Sequence, residues 1–169
     1  MHLAALSLGL DPSTNPFPTN VMADALCFVR FLHYPPSDAP SAASPTGIGA
    51  HTDFGFVTLL ATSGTPGLEL FADGRWQACE PEEDAFIVNV GDCMAQLTGG
   101  EYKSSLHRVV NRTGRARYSL PFFVEGNPEF VVKPLAVAEA EGKDAAGRAW
   151  PTVEEVLRGR FDSTYKKGE

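Results

Sequence analysis

From Leu26 to Val124 the chain is a succession of short apolar runs, each followed by a turn signal. Residues 26–34 (LCFVRFLHY) are rich in β-branched and aromatic types and read as a strand ended by Pro35-Pro36. The runs GFVTLLA (55–61), LELF (68–71), AFIVNV (85–90), SLHRVVN (105–111) and RYSLPFFV (117–124) follow. Asp73-Gly74, inside Ala72-Asp73-Gly74-Arg75, is the strongest short hairpin signal. Gly91-Asp92, Gly99-Gly100 and Arg112-Thr113-Gly114 mark further turns, and Asn89 to Asp92 read as a strand end whose side chains cap backbone groups. Many short strands at this spacing predict a mainly β fold, an antiparallel sandwich or jelly roll with a few flanking helices.

Helices are expected only at the margins. Ala4 to Leu8 reads as the end of a helix stopped by Gly9. Thr152-Val153-Glu154-Glu155 is a capping box and should open a helix running to about Phe161. Residues 35–46 and 139–151 read as loops. With 169 residues, 43 % apolar and 21 % charged, the chain suits a single domain, residues 1–169, with its own core.

The formal net charge of −7 argues against nucleic acid or an anionic membrane as a partner. No apolar stretch reaches the length of a membrane span, and MHLAALSLGL lacks the basic start and small-residue cleavage site of a signal peptide. Cys27, Cys79 and Cys93 are odd in number and widely spaced, which predicts reduced core thiols in a cytoplasmic setting. A monomer acting on a small molecule is the expected partner profile.

His51-Thr52-Asp53 places an imidazole and a carboxylate at i and i+2, on one face of an extended segment. A third candidate ligand, His107, lies inside SLHRVVN. Two imidazoles and one carboxylate on one side of a metal leave the opposite positions open, the arrangement suited to Fe(II) with O2 and a cosubstrate. The His-x-Asp pair alone is weak, because each histidine has roughly a one-in-eight chance of an acid at that offset.

A second pair strengthens it. Arg117-Tyr118-Ser119 again sets two side chains on one strand face. An inward arginine cannot shed its proton and needs an anionic partner. A guanidinium fork beside a hydroxyl is suited to gripping a ligand carboxylate. The alternative is an ion pair with Asp92 or Glu125 at the surface. His33 reads as structural, His2 as solvated, and Phe54, Phe56, Phe122 and Phe123 as core, with alternate ones able to line a pocket.

GAHTDFGFVTLL, GLELFADGRW, FIVNVGD, YKSSLHRVVN and RYSLPFF, in this order, resemble the isopenicillin N synthase-like Fe(II)/2-oxoglutarate dioxygenases, from about Leu26 to Phe123. The resemblance implies a double-stranded β-helix with iron on His51, Asp53 and His107. It implies 2-oxoglutarate held through its distal carboxylate by Arg117 and Ser119, with Tyr34 of HYPP nearby. The residue two before this tyrosine is often Asn in the family and is Leu32 here. Family members carry a long N-terminal region that is expected to be missing from this chain. The implied reaction consumes O2, converts 2-oxoglutarate to succinate and CO2, and oxidises a C–H bond of a small organic molecule by hydroxylation, desaturation or ring closure. Secondary metabolism is the expected setting. Three alternatives stay open on sequence alone: an iron oxidase of the same scaffold that does not use 2-oxoglutarate, an inactive binding domain, and a zinc hydrolase with the same ligands.

Overall fold

The computed structural model describes residues 1–15, 17–36, 47–135, 144 and 146–165. The element order is α1 (His2–Ser7), α2 (Phe17–Met22), β1 (Leu26–Val29), β2 (Leu32–Tyr34), β3 (Gly47–His51), β4 (Val57–Thr62), β5 (Leu68–Ala72), β6 (Arg75–Cys79), β7 (Ile87–Val90), α3 (Asp92–Leu97), β8 (His107–Val110), β9 (Arg117–Gly126) and α4 (Val153–Tyr165). Residues 37–46 of the first expected loop, and 139–143 with 145 of the second, lie outside the described residues.

The strands form two antiparallel sheets. One has the order β1-β9-β4-β7, with β2 also paired to β9; the other has the order β3-β8-β5-β6. This is the mainly β jelly roll expected from the pattern of short runs. The β5–β6 hairpin turns through Asp73 and Gly74, at φ 53° and 74°. Positive φ at both positions is the type I′ geometry whose twist matches the flanking strands.

The expected strand 26–34 is one strand interrupted. Val29 pairs with Phe122 and Leu32 with Ser119, so the register carries through unchanged. Arg30 falls opposite Pro121, which accepts from the Arg30 N–H at 3.1 Å but has no N–H to return. Proline breaks the ladder there, giving β1 and β2. Two further expectations need correction. Gly91-Asp92 does not merely turn the chain; it opens α3, whose Cys93, Met94 and Leu97 are buried. The C-terminal helix begins at the expected box, with Thr152 N donating to Glu155 Oε2 at 2.9 Å and Glu155 N to Thr152 Oγ1 at 3.2 Å, and runs to Tyr165 rather than Phe161.

Two apolar clusters hold the fold. Ala5, Phe17, Val21, Phe56, Cys93, Met94, Leu97, Val132 and Val153 tie α1, α2, α3 and α4 to one end of the larger sheet. Tyr34, Leu60, Leu68 and Val109 pack between the sheets. The β7–α3 junction is locked against β4 by Gly91, whose N–H donates to Phe56 O at 2.9 Å. A Cβ on Gly91 would stand 2.2 Å from the Gly55 carbonyl oxygen, backbone that cannot swing aside. Gly91→Ala should therefore cost about 1–3 kcal/mol as an overpacked contact, measured as a lower midpoint in urea denaturation with unchanged slope.

Candidate active site

The two histidines come from adjacent strands of the smaller sheet. His51 ends β3 and pairs with His107, which begins β8. A register shift between Ile48 and His51 brings the rings to 4.3 Å between centroids, tilted by 53°. Asp53 lies two residues past β3 and is buried. Its carbonyl accepts from the Asp92 N–H at 2.9 Å, at the start of α3.

One donor atom from each of His51, Asp53 and His107 lies within 4.8 Å of the others. Asp53 Oδ1 is 3.7 Å from His107 Nε2. The Nδ1 of His51 is 2.8 Å from the Gly49 carbonyl oxygen, and that of His107 is 3.0 Å from the Ser105 carbonyl oxygen. A carbonyl can only accept, so both Nδ1 atoms carry the proton when the rings are neutral. The Nε2 lone pairs are then free for a metal, with ring orientation already fixed. Burial, the largest influence, holds the His51 pKa below that of a free imidazole; the Gly49 carbonyl opposes this, His107 adds to it and Asp53 opposes it. Depression favours the neutral, ligating form. Asp53 Oδ2 is buried with no hydrogen-bond partner among the described residues. Two borderline nitrogen donors and one hard oxygen, with a carboxylate oxygen left unsatisfied, fit a divalent iron.

The second half of the site lies on β9. Its burial alternates from Arg117 to Phe122, so Arg117, Ser119 and Pro121 point between the sheets while Tyr118, Leu120 and Phe122 face outward. Arg117 is only 1 % exposed, yet its Nε and Nη1 have no hydrogen-bond partner among the described residues. Its guanidinium stands 5.0 Å from the centroid of the Tyr34 ring, which β2 places directly opposite. Burial lowers the Arg117 pKa, and Tyr34 partly offsets this. The alternative surface ion pairs are not formed: Asp92 is engaged by Arg160 at 2.8 Å, and Glu125 is itself buried farther along β9. A buried guanidinium with two unsatisfied nitrogens, beside a buried hydroxyl, fits an incoming carboxylate.

A cavity of about 50 Å³ joins the two halves. Its lining includes all six residues singled out from sequence: Tyr34, His51, Asp53, His107, Arg117 and Ser119. Apolar walls come from Leu32, Ile48, Leu60, Leu68, Val109, Pro121 and Phe123. Phe123 is thus a lining residue, while Phe56 is fully buried core. Two polar lining residues escaped the sequence reading. Thr58 and Asn89 are paired across β4 and β7, and both face the cavity. The backbone-capping role expected for Asn89 gives way to this one; its place on the same strand face as Ile87 is the signal that could have revealed it. His33 stacks on Tyr118 at 4.7 Å and does not line the cavity, in keeping with a structural role. All three cysteines are free; Cys93 is fully buried, which pushes its thiol up to about 12.

The sequence pattern of the 2OG-Fe(II) oxygenase superfamily matches residues 23–126. The chain is 42 % identical over 151 residues to the 2-oxoglutarate-dependent dioxygenase citB of Monascus ruber, covering 84 % of this chain and 44 % of that one. It is 39 % identical over 173 residues to the 2-oxoglutarate-Fe(II) type oxidoreductase hxnY of Emericella nidulans, covering 99 % and 48 %. Among solved structures it superposes on a full-length Neurospora crassa protein in complex with alpha-KG and thymine, with a TM-score of 0.79, 25 % identity and coverage of 95 % and 50 %. It also superposes on JOX2 in complex with 2OG, Fe and JA, with a TM-score of 0.75, 26 % identity and coverage of 91 % and 45 %. The chain belongs to the 2OG-Fe(II) oxygenase superfamily. It spans about half the length of the curated relatives it matches.

Glu125 gives a test of the site's electrostatics. Burial, then the charge of Asp53, raises its pKa from an ordinary 4.5 to about 7, with Arg30 pulling the other way. The folded protein therefore holds this proton more tightly than the unfolded chain. Stability from that difference is fully present below pH 4.5 and is lost as pH rises through about 7. In the metal-free protein, Glu125→Gln should match wild type near pH 4.5 and be more stable by up to about 3 kcal/mol above pH 8. Urea denaturation at the two pH values checks this.

Proposed function

We propose that this chain is the catalytic domain of an Fe(II)- and 2-oxoglutarate-dependent oxygenase that oxidises a C–H bond of a small organic molecule. His51, Asp53 and His107 would hold the iron, and Arg117 and Ser119 the distal carboxylate of 2-oxoglutarate, with Tyr34 beside them. The observation that carries the reading is the buried guanidinium of Arg117, with two unsatisfied nitrogens, opening into the same cavity as the three candidate ligands. Family membership and the relatives' names support the cosubstrate.

Bound at the triad, iron would supply O2 activation coupled to conversion of 2-oxoglutarate to succinate and CO2. The protein's own contribution is placement. The Gly49 and Ser105 carbonyls orient the two imidazoles. Arg117 offers a planar pair of N–H donors matched to a carboxylate, and Ser119, two residues on along the same strand face, offers a hydroxyl. Tyr34 stacks under the guanidinium and keeps it aimed into the cavity. Leu60, Leu68 and Val109 give the same cavity an apolar wall. No side chain is asked to act as a general base.

We further propose a cytoplasmic monomer acting on a small molecule, with neither nucleic acid nor membrane as partner. Free cysteines and the net charge of −7 support this, and no helix among the described residues is long and apolar enough to cross a membrane. Fungal relatives such as clavatol oxidase of Penicillium crustosum, 39 % identical, support a role in secondary metabolism.

The deciding experiment is a 2-oxoglutarate decarboxylation assay with Fe(II) and ascorbate, reading succinate. Wild type should form succinate, and His107→Ala should lose both succinate formation and Fe(II) binding by calorimetry. Arg117→Lys should keep Fe(II) affinity but raise the apparent 2-oxoglutarate constant about ten-fold or more, because an ammonium cannot reproduce the bidentate grip. Equal 2-oxoglutarate constants in wild type and Arg117→Lys would reject the assigned carboxylate site.

A further inference from the structure

Asp53 presents a mechanical problem. It sits beyond the end of β3, in a stretch (52–54) that belongs to no strand, yet its carboxylate must be held against two histidines anchored in a sheet. Part of the answer is backbone. The first amides of α3 reach this stretch, with Asp92 N donating to Asp53 O at 2.9 Å and Cys93 N to Phe54 O at 3.1 Å.

The rest comes from the C-terminal helix. Arg160 of α4 lies far along the chain, but its Nη2 is 2.8 Å from Asp92 Oδ2 and donates to Thr52 Oγ1. Thr52 Oγ1 donates in turn to Asp92 Oδ2 at 3.2 Å. The same guanidinium stands 5.2 Å from the centroid of the Phe54 ring. One side chain therefore touches the residues on either side of Asp53 and the first residue of the helix that holds its backbone. Thr52 does not line the cavity that His51 and Asp53 line. A planar guanidinium can bridge a carboxylate and a hydroxyl while stacking on a ring; an ammonium cannot do all three.

We propose that Arg160 is a positioning residue of the metal centre: it clamps Thr52 and Phe54 against Asp92 so that the Asp53 carboxylate stays in register with His51 and His107. On this account α4 belongs to the site although it supplies no ligand. The inference rests on the triad being the Fe(II) site. Partners bonded directly to metal ligands lower metal affinity or activity about 10–100-fold when removed, and Arg160 acts one contact further out, through Thr52, Phe54 and Asp92.

The test is Fe(II) calorimetry on the full chain, at a temperature where each apoprotein is folded. Arg160→Met keeps the apolar stem and should weaken Fe(II) binding about ten-fold or more. Arg160→Lys should recover part of the loss. Thr52→Val keeps the shape, drops the hydroxyl and should shift affinity in the same direction. Arg158→Met, which breaks a surface pair with Glu154 on the same helix, should leave affinity at the wild-type value. A merely structural arginine would lower the melting temperature of the apoprotein and leave its Fe(II) affinity unmoved. Wild-type affinity in Arg160→Met and Thr52→Val, beside a loss in His107→Ala, overturns the inference alone. If Arg160→Met does not fold, Thr52→Val decides by the same criterion. Absence of Fe(II) binding in wild type, or its persistence in His107→Ala, overturns the metal reading and this inference together.

Discussion

Strand β9 sets the geometry on which the cavity depends. It pairs with β1, β2 and β4, so three other strands fix its register. Because side chains alternate, that register sends Arg117 and Ser119 inward as a pair, opposite Tyr34 and Leu32. A slip of one residue would turn both outward and put Tyr118 and Leu120 into the cavity. The outward face of β9 is itself apolar, so side-chain character alone selects the register weakly. The pairing with three partners does the selecting.

An arginine held this way is costly. Removing a guanidinium from water without an anionic partner disfavours the fold by several kcal/mol, and its high pKa rules out escape by deprotonation. Stacking on Tyr34 offsets only part of this. A fold that keeps such a group buried with unsatisfied nitrogens has a standing demand for an anion, and the cavity leads from it toward the cluster of His51, Asp53 and His107. On the proposed reading, the cost of burial and the capacity to bind a dicarboxylate are one property of β9.

The legible parts of the structure are those decided locally. Asp73-Gly74 fixed a hairpin because few dipeptides accept positive φ twice. Thr152 and Glu155 marked a helix start because the reciprocal bonds span only three residues. Arg117 and Ser119 were legible as a pair because a strand has a period of two, whereas His51 and Asp53 were legible as two ligand types close in sequence, Asp53 lying beyond the end of β3. What escaped depends on contacts between distant segments. β3 is GIGAH, with two glycines and little strand character of its own; β8 makes it a strand. α3 is six residues long with a glycine at its N-cap, and its stability comes from burying Cys93, Met94 and Leu97. Glu125 follows an apolar run and reads as surface, but β9 carries it inward past a register shift at Leu26/Cys27. The Arg160 contacts with Asp92 and Thr52 join three separate stretches of the chain and have no sequence signature.

The central claim is that one cavity joins a three-residue metal centre to a carboxylate grip. A crystal structure of the protein loaded anaerobically with Fe(II) and 2-oxoglutarate tests it most directly. The account predicts one metal about 2.0–2.2 Å from His51 Nε2, His107 Nε2 and an Asp53 carboxylate oxygen, with the far carboxylate of 2-oxoglutarate on the Arg117 guanidinium and the Ser119 hydroxyl. Metal bound through other residues, or an Arg117 guanidinium paired to a protein carboxylate with 2-oxoglutarate elsewhere, would contradict it.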